Sequence, residues 1–145
     1  METNIAPGLR FSILDREFKK KLEERASRMD LTAVQLRVLG EISRSESLGV
    51  CEINQKDLEK ALAVTHPTMT EIIKRLEKKR AVICTQSKID KRYKKITCTE
   101  EYKNVHLELK EMDWEIFYKI CEGIPKESVE IFLKASERML ENIEK

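Results

Sequence analysis

Glycine and proline are scarce in this chain, four and three among 145 residues. So few breakers leave little material for an irregular fold or for a sandwich of short, turn-linked strands. Cys51, Cys84, Cys98 and Cys121 are widely spaced, with no Cys-x-x-Cys pair, and the only histidines are His66 and His106. A zinc site needs ligands clustered at short spacings, so no metal is expected. No Gly-rich phosphate loop and no nucleophile set beside a base is visible, which argues against an enzyme and against a bound cofactor. No apolar run approaches bilayer length, so no membrane partner is expected. The opening Met-Glu-Thr-Asn-Ile-Ala-Pro lacks the charged-then-apolar order of a secretory signal, and a cytoplasmic location is the expectation. In a reducing cytosol the four thiols read as small buried hydrophobes, with a redox switch between Cys84 and Cys98 as the alternative.

Charge is what the chain has in abundance. Charged residues make up 37%, against about 25% in an average soluble domain, which points to long solvated helices. The net charge of +2 hides an uneven distribution. Between His66 and Thr99 stand ten cations, Lys74, Arg75, Lys78, Lys79, Arg80, Lys88, Lys91, Arg92, Lys94 and Lys95, opposed only by Glu71, Glu77 and Asp90, a net of +7. Over residues 100–145 seven cations face twelve acids, a net of −5, and residues 1–65 balance. A basic segment of this kind suits a polyanion, and duplex DNA is the commonest one with grooves.

The chain length fits one domain with helical extensions. Phe11, Leu14, Phe18 and Leu22 recur at helical spacing and predict a first helix from about Phe11 to Met29. Thr32 with Gln35 three residues on forms a capping-box pattern before Leu36, Leu39 and Ile42. Val50 to Ile53 reads as a short extended piece. Asn54 caps a third, short helix, with Asp57 in its first turn and Ile53 and Leu58 at staple spacing. Thr65 caps a fourth helix with Pro67 in its first turn. Val82 to Gln86 and Lys95 to Cys98 are rich in β-branched residues and suit paired strands around a polar loop, Ser87 to Lys94. A helix from about Glu100 to Cys121 and another after Pro125 close the chain, with Gly123 and Pro125 marking the break.

The fourth helix has the clearest geometry. Met69, Ile72, Ile73 and Leu76 fall within about 100° of arc and form one apolar face. The opposite side presents Pro67, Thr68, Thr70, Glu71, Lys74, Arg75 and Lys78, with Thr65 at its cap. Hydroxyls and Arg hydrogen-bond base edges, Lys and Thr hold phosphates, and Glu selects a cytosine amino group. The bland alternative is a solvated helix face. Helix, short turn, helix and then a basic hairpin favours nucleic acid.

Residues 31–102 resemble the winged-helix core of the MarR family of bacterial transcriptional regulators. The resemblance rests on Leu31-Thr32-x-x-Gln35-x-x-Val38-Leu39, on the helix from Thr65 to Leu76, and on Asp90-Lys91-Arg92 followed by Ile96-x-Cys98-Thr99. The last string is similar to the family's acidic-x-Arg wing signature and its Thr-capped return to a helix. Two departures stand out. Arg80-Ala81 occupies the turn where the family often has Gly, and Tyr102 stands where Gly often follows the capping Thr.

The resemblance implies a fold that is mainly α with a small β-hairpin wing: a winged helix-turn-helix flanked by N- and C-terminal dimerisation helices. It implies one MarR-like domain over 1–145, with the DNA-binding core at about 31–99 and dimerisation helices at about 8–29 and 100–145. The implied function is a dimeric, sequence-specific DNA-binding transcriptional regulator, a ligand-responsive repressor. Helix 65–80 would read the major groove, and wing 82–98 would enter the minor groove through Lys88, Asp90, Lys91 and Arg92, with Asp90 orienting Arg92. Phe11, Leu14, Phe18, Phe132, Leu140 and Ile143 would form the homodimer, unless they complete a monomer core. The implied partners are a near-palindromic operator and a small-molecule effector whose binding residues the sequence does not identify. The peroxide-sensing branch of the family carries a reactive Cys in the first helix, and this chain has none there. The competing class is a winged-helix protein-interaction module without specific DNA binding, which would lack a steep salt dependence.

Overall fold

Past five of its helices this chain turns through the left-handed region of backbone space, and at three of those corners it does so without glycine. The structure is a computed structural model describing residues 4–144. Its elements run α1 (Pro7–Ser27), α2 (Ala33–Ser47), α3 (Gln55–Leu62), α4 (His66–Lys78), β1 (Val82–Gln86), β2 (Lys94–Cys98), a single 3₁₀ turn (Glu100–Tyr102), α5 (Val105–Ile120) and α6 (Lys126–Ile143). Asp30, Ala63 and Arg80 hold φ of 57°, 51° and 58° just past α1, α3 and α4, while Gly49 and Gly123 take that role after α2 and α5. At the first four corners a following N–H reaches back across the last turn: Leu31 to Ala26 O, Val50 to Ser45 O, Val64 to Glu59 O and Ala81 to Leu76 O. This closure satisfies carbonyls that a helix end otherwise leaves without partners. Arg80 thus makes the turn for which glycine would be the permissive residue.

The predicted starts of α2 and α3 are both present. Thr32 Oγ1 accepts the Gln35 N–H at 3.2 Å and Gln35 Oε1 accepts the Thr32 N–H at 3.1 Å. Asn54 and Asp57 make the same reciprocal pair at 2.9 and 3.0 Å. Thr65 occupies the start of α4, yet its hydroxyl donates to Thr68 Oγ1 at 3.0 Å and not to the backbone. The Thr99 hydroxyl likewise turns away, donating to the Arg80 carbonyl at 2.8 Å.

That bond explains why the long helix expected from Glu100 begins at Val105. Thr99 is tied to the end of α4, the next residues form the 3₁₀ turn, and Asn104 sits at φ −115°, ψ 17°. The buried Ser43 hydroxyl then donates to the Lys103 carbonyl at 2.7 Å. α1 begins four residues earlier than predicted, at Pro7, and β2 one residue earlier, at Lys94.

α2 lies at the centre, with Leu36, Val38, Leu39 and Ile42 fully buried. α5 crosses it closely: a Cβ on Gly40 would stand 2.6 Å from Leu109 Cδ2. Leu22 and Ala26 bring the second half of α1 into the same core, and Met69 and Leu76 bring α4. The two strands pair antiparallel, Val82 opposite Cys98 and Cys84 opposite Ile96. The expected extended piece before α3 forms no strand, but it covers the outer edge of β2. Ile96 N–H donates to Ile53 O at 2.8 Å and Cys98 N–H to Glu46 Oε1 at 2.9 Å. Cys84 and Cys98 lie on facing strands as free thiols. Burial pushes Cys84 up to about 11 and Cys98 up to about 12, with Glu77 and Glu46 respectively adding to the rise. Little reactive thiolate exists at neutral pH, which favours the reading of these two as small hydrophobes, whereas Cys51, expected to be buried, is exposed in the connection after α2.

Candidate nucleic-acid interface

α4 folds with its apolar face inward: Met69, Ile72, Ile73 and Leu76 are all buried. Burying such a side chain contributes roughly 1.5–3 kcal/mol, so the orientation of the helix is fixed by its back. Thr65, Pro67, Thr68, Glu71, Lys74 and Arg75 consequently point outward and are exposed. Arg75 Nε lies 3.3 Å from Glu71 Oε1, one helical turn away, with both side chains mostly in solvent. Such a pair is weak and leaves the guanidinium free to redirect.

Thr70 behaves differently from the other polar residues of α4. It is half-buried, its hydroxyl donates to the His66 carbonyl at 3.0 Å, and it accepts from Gln55 Nε2 at 2.7 Å. Gln55 opens α3, so this bond fixes the angle between the two helices of the helix-turn-helix. Glu59 of α3 adds a contact to the other end of the same turn, with His66 Nδ1 3.1 Å from Oε2. Lys79 is also drawn off the basic surface. Its ammonium donates to the Asp30 carbonyl and to Gln35 Oε1 on the α1–α2 corner.

The wing carries Lys88, Lys91 and Arg92 exposed, with Asp90 half-buried between them. Asp90 Oδ2 accepts from Arg92 Nη2 at 2.7 Å, and Oδ1 accepts from the Arg92 backbone N–H and Nε, each at 3.1 Å. These bonds hold the Asp90 carboxyl below the usual carboxylate range. They also set the direction of a guanidinium that remains 81% exposed. Arg92 stands 5.7 Å from the centroid of the Tyr93 ring, a cation–π contact on its other side. Below the wing, the Glu52 carboxylate accepts from Ser87 and from the Lys88 N–H. Gln55, Glu59, Glu52 and Ser87 were not singled out by sequence reasoning. Each acts through a partner distant in the chain, and no local spacing announces such a pair.

The six expected dimerisation residues fall on α1 and α6. Phe11, Leu14, Phe132, Leu140 and Ile143 are exposed, and Phe18 packs partly against the core. Val129 is the one buried residue among the described residues of α6. A cleft of about 510 Å³ lined by Leu14, Phe18, Phe117, Ile120, Val129 and Phe132 opens between the two helices and the end of α5. A second groove of about 660 Å³ lies between α2 and α5, lined in part by Arg37, Arg44, His106 and Trp114. Among the described residues no cluster of His, Cys, Asp and Glu could hold a metal ion, and no helix is long and apolar enough to cross a membrane.

The sequence model of the MarR family matches residues 29–92. No curated protein matches the chain in sequence. Among solved structures, the chain is similar to a MepR–DNA complex from S. aureus, at 22% identity and a TM-score of 0.79 over 96% of this chain and 99% of that one. It is similar to the reduced form of MarR from E. coli, at 22% identity and a TM-score of 0.82 over 94% and 97%. A MarR family transcriptional regulator from Listeria monocytogenes, in complex with a 26mer DNA, aligns at 19% identity and a TM-score of 0.78 over 96% and 89%. These likenesses establish the fold as a winged helix-turn-helix with flanking helices.

Proposed function

We infer that the chain is a MarR-family transcription regulator, working as a homodimer on near-palindromic duplex DNA. The observation that carries this reading is the outward presentation of cations by α4 and the wing together, within the segment that matches the family. The major groove admits an α-helix, and α4 offers it Thr65, Pro67, Thr68, Glu71, Lys74 and Arg75. The narrow minor groove of A·T-rich DNA attracts an inserted Arg, and Arg92 is the wing residue already aimed by its neighbours. Lys88 and Lys91 hold flanking phosphates. Thr70 positions the reading helix and does not read.

The exposed apolar residues of α1 and α6 join two copies, which places two reading helices on one face of the duplex. Bound at a promoter, such a dimer represses by occlusion. The groove between α2 and α5 is also lined by Leu62 of α3, the helix that Gln55 ties to α4. A small molecule bound there changes the spacing of the reading helices and releases the DNA.

Selecting bound sequences from random duplex DNA tests this reading. The expected product is a near-palindrome with half-sites about one helical turn apart, bound with an affinity that falls steeply with salt. Arg92→Ala should weaken that binding at least about tenfold, with the dimer and its helicity intact. Salt-insensitive association or no duplex binding would point to a protein-interaction module. Unchanged affinity of Arg92→Ala would remove the wing assignment.

A further inference from the structure

Glu52 lies in the connection between α2 and α3, and Ser87 follows β1. The fold brings them together beneath the wing tip. Ser87 is buried, with 6% of its surface exposed. Its Oγ accepts the backbone N–H of Ile89 at 3.1 Å and that of Asp90 at 3.0 Å. Those two bonds occupy both lone pairs of the hydroxyl, so only its proton remains to be placed. That proton goes to Glu52 Oε2 at 2.5 Å, while Glu52 Oε1 accepts the Lys88 N–H at 3.0 Å. Both oxygens of Glu52 must therefore accept. The series then continues outward, because the Asp90 whose N–H is held by Ser87 uses its carboxylate to hold Arg92.

We propose that Glu52 is a positioning residue for the wing, setting Asp90 and Arg92 through Ser87 so that the wing meets DNA already ordered. The proposal rests on the DNA-binding reading given above. A loop that must be ordered at the moment of binding loses affinity to conformational entropy, and one held in advance does not. Glu52 touches the loop at both its backbone and its buried hydroxyl, and it reaches Arg92 without standing on the DNA-facing surface of α4. Its carboxyl is held below the usual range, first by the Ser87 hydroxyl and then by the Lys88 N–H, so it is ionised and accepts through both oxygens at neutral pH.

The experiment turns on the direction of the Ser87 proton. Glu52→Gln keeps the shape but replaces one acceptor with an NH₂ donor, which faces either the Ser87 hydroxyl proton or the Lys88 N–H. Hydrogen exchange at the Ile89 and Asp90 amides should accelerate, and affinity for the selected operator should fall about tenfold. Ser87→Asp sets carboxylate against carboxylate and should fail similarly. Combining Glu52→Gln with Ser87→Asp reverses the bond. The introduced amide would donate to the new carboxylate, accept the Lys88 N–H, and leave that carboxylate to accept from Ile89 and Asp90. Exchange and affinity should return to within about twofold of the parent protein. With Arg92→Ala already present, Glu52→Gln should cause a smaller loss, confined to what Lys88 and Lys91 contribute.

Unchanged exchange or affinity in Glu52→Gln, a double variant without recovery, or a full extra loss beside Arg92→Ala would each overturn the proposal. If the parent protein binds no duplex DNA, the functional reading falls and the wing's role falls with it. The exchange rates then still decide whether Glu52 orders the loop.

Discussion

At the scale of single residues, backbone conformation and proton placement matter more here than the count of contacts. Ala63 stands at φ 51° after α3 and is exposed. A left-handed conformation costs a non-glycine residue roughly 1–2 kcal/mol, partly offset by the extra freedom glycine has in the unfolded chain. Ala63→Gly should therefore raise stability by about 0.5–1 kcal/mol, read from the urea midpoint. A lower midpoint would mean that the corner is not strained. Arg80 holds the same conformation, and its presence there was legible only as a missing glycine. The sequence names the residue, but it does not say whether the turn moves or the residue tolerates strain. The closing bonds from Arg80 N–H to Glu77 O and from Ala81 N–H to Leu76 O show that the turn keeps its form.

At the scale of elements, α4 divides its labour between two faces, and substitutions should separate them. Ile72→Ala removes buried methyl groups from the core and should destabilise the fold by about 2–4 kcal/mol. Lys74→Ala, on the exposed face, should leave stability within about 0.5 kcal/mol while reducing the salt dependence of DNA binding by about one contact. Thermal denaturation and a salt titration measure the two. A large stability loss from Lys74→Ala would show that the outward face is structural. This division was readable in advance because Met69, Ile72, Ile73 and Leu76 repeat at helical spacing. The caps at Thr32 and Asn54 were readable for the same reason, since both partners lie three residues apart. The start of α5 was not. It depends on Thr99 reaching the Arg80 carbonyl and on Ser43 reaching the Lys103 carbonyl, contacts that exist only once the hairpin has returned to the core. The inward commitment of Thr70 was hidden likewise, because Gln55 is its partner.

At the scale of the whole molecule, α6 is an amphipathic helix whose apolar face has little of its own chain to cover it. Phe132 and Leu140 are 45% and 62% exposed, and Phe132 stacks on Phe117 at 6.1 Å between ring centroids. Changing both Phe132 and Leu140 to Asp should yield a monomer by analytical ultracentrifugation, with helicity retained and operator affinity lost. A dimer that persists would place the interface elsewhere. The sequence left open whether these residues complete a monomer core, and their exposure in the isolated chain favours the partner copy. The fold also gives the uneven charge a direction. The acids of residues 100–145 ride mainly on α5 and α6, and α5 packs against α1 and α2, whereas the cations ride on α4 and the hairpin. The net positive charge of the chain is thus gathered on one region, α4 and the hairpin. In the field of a polyanion that side is drawn in first, so a duplex would be met wing-first. On the proposed function, the search for an operator would begin from an orientation close to the bound one, and it would quicken or slow with ionic strength even where the final contacts do not change.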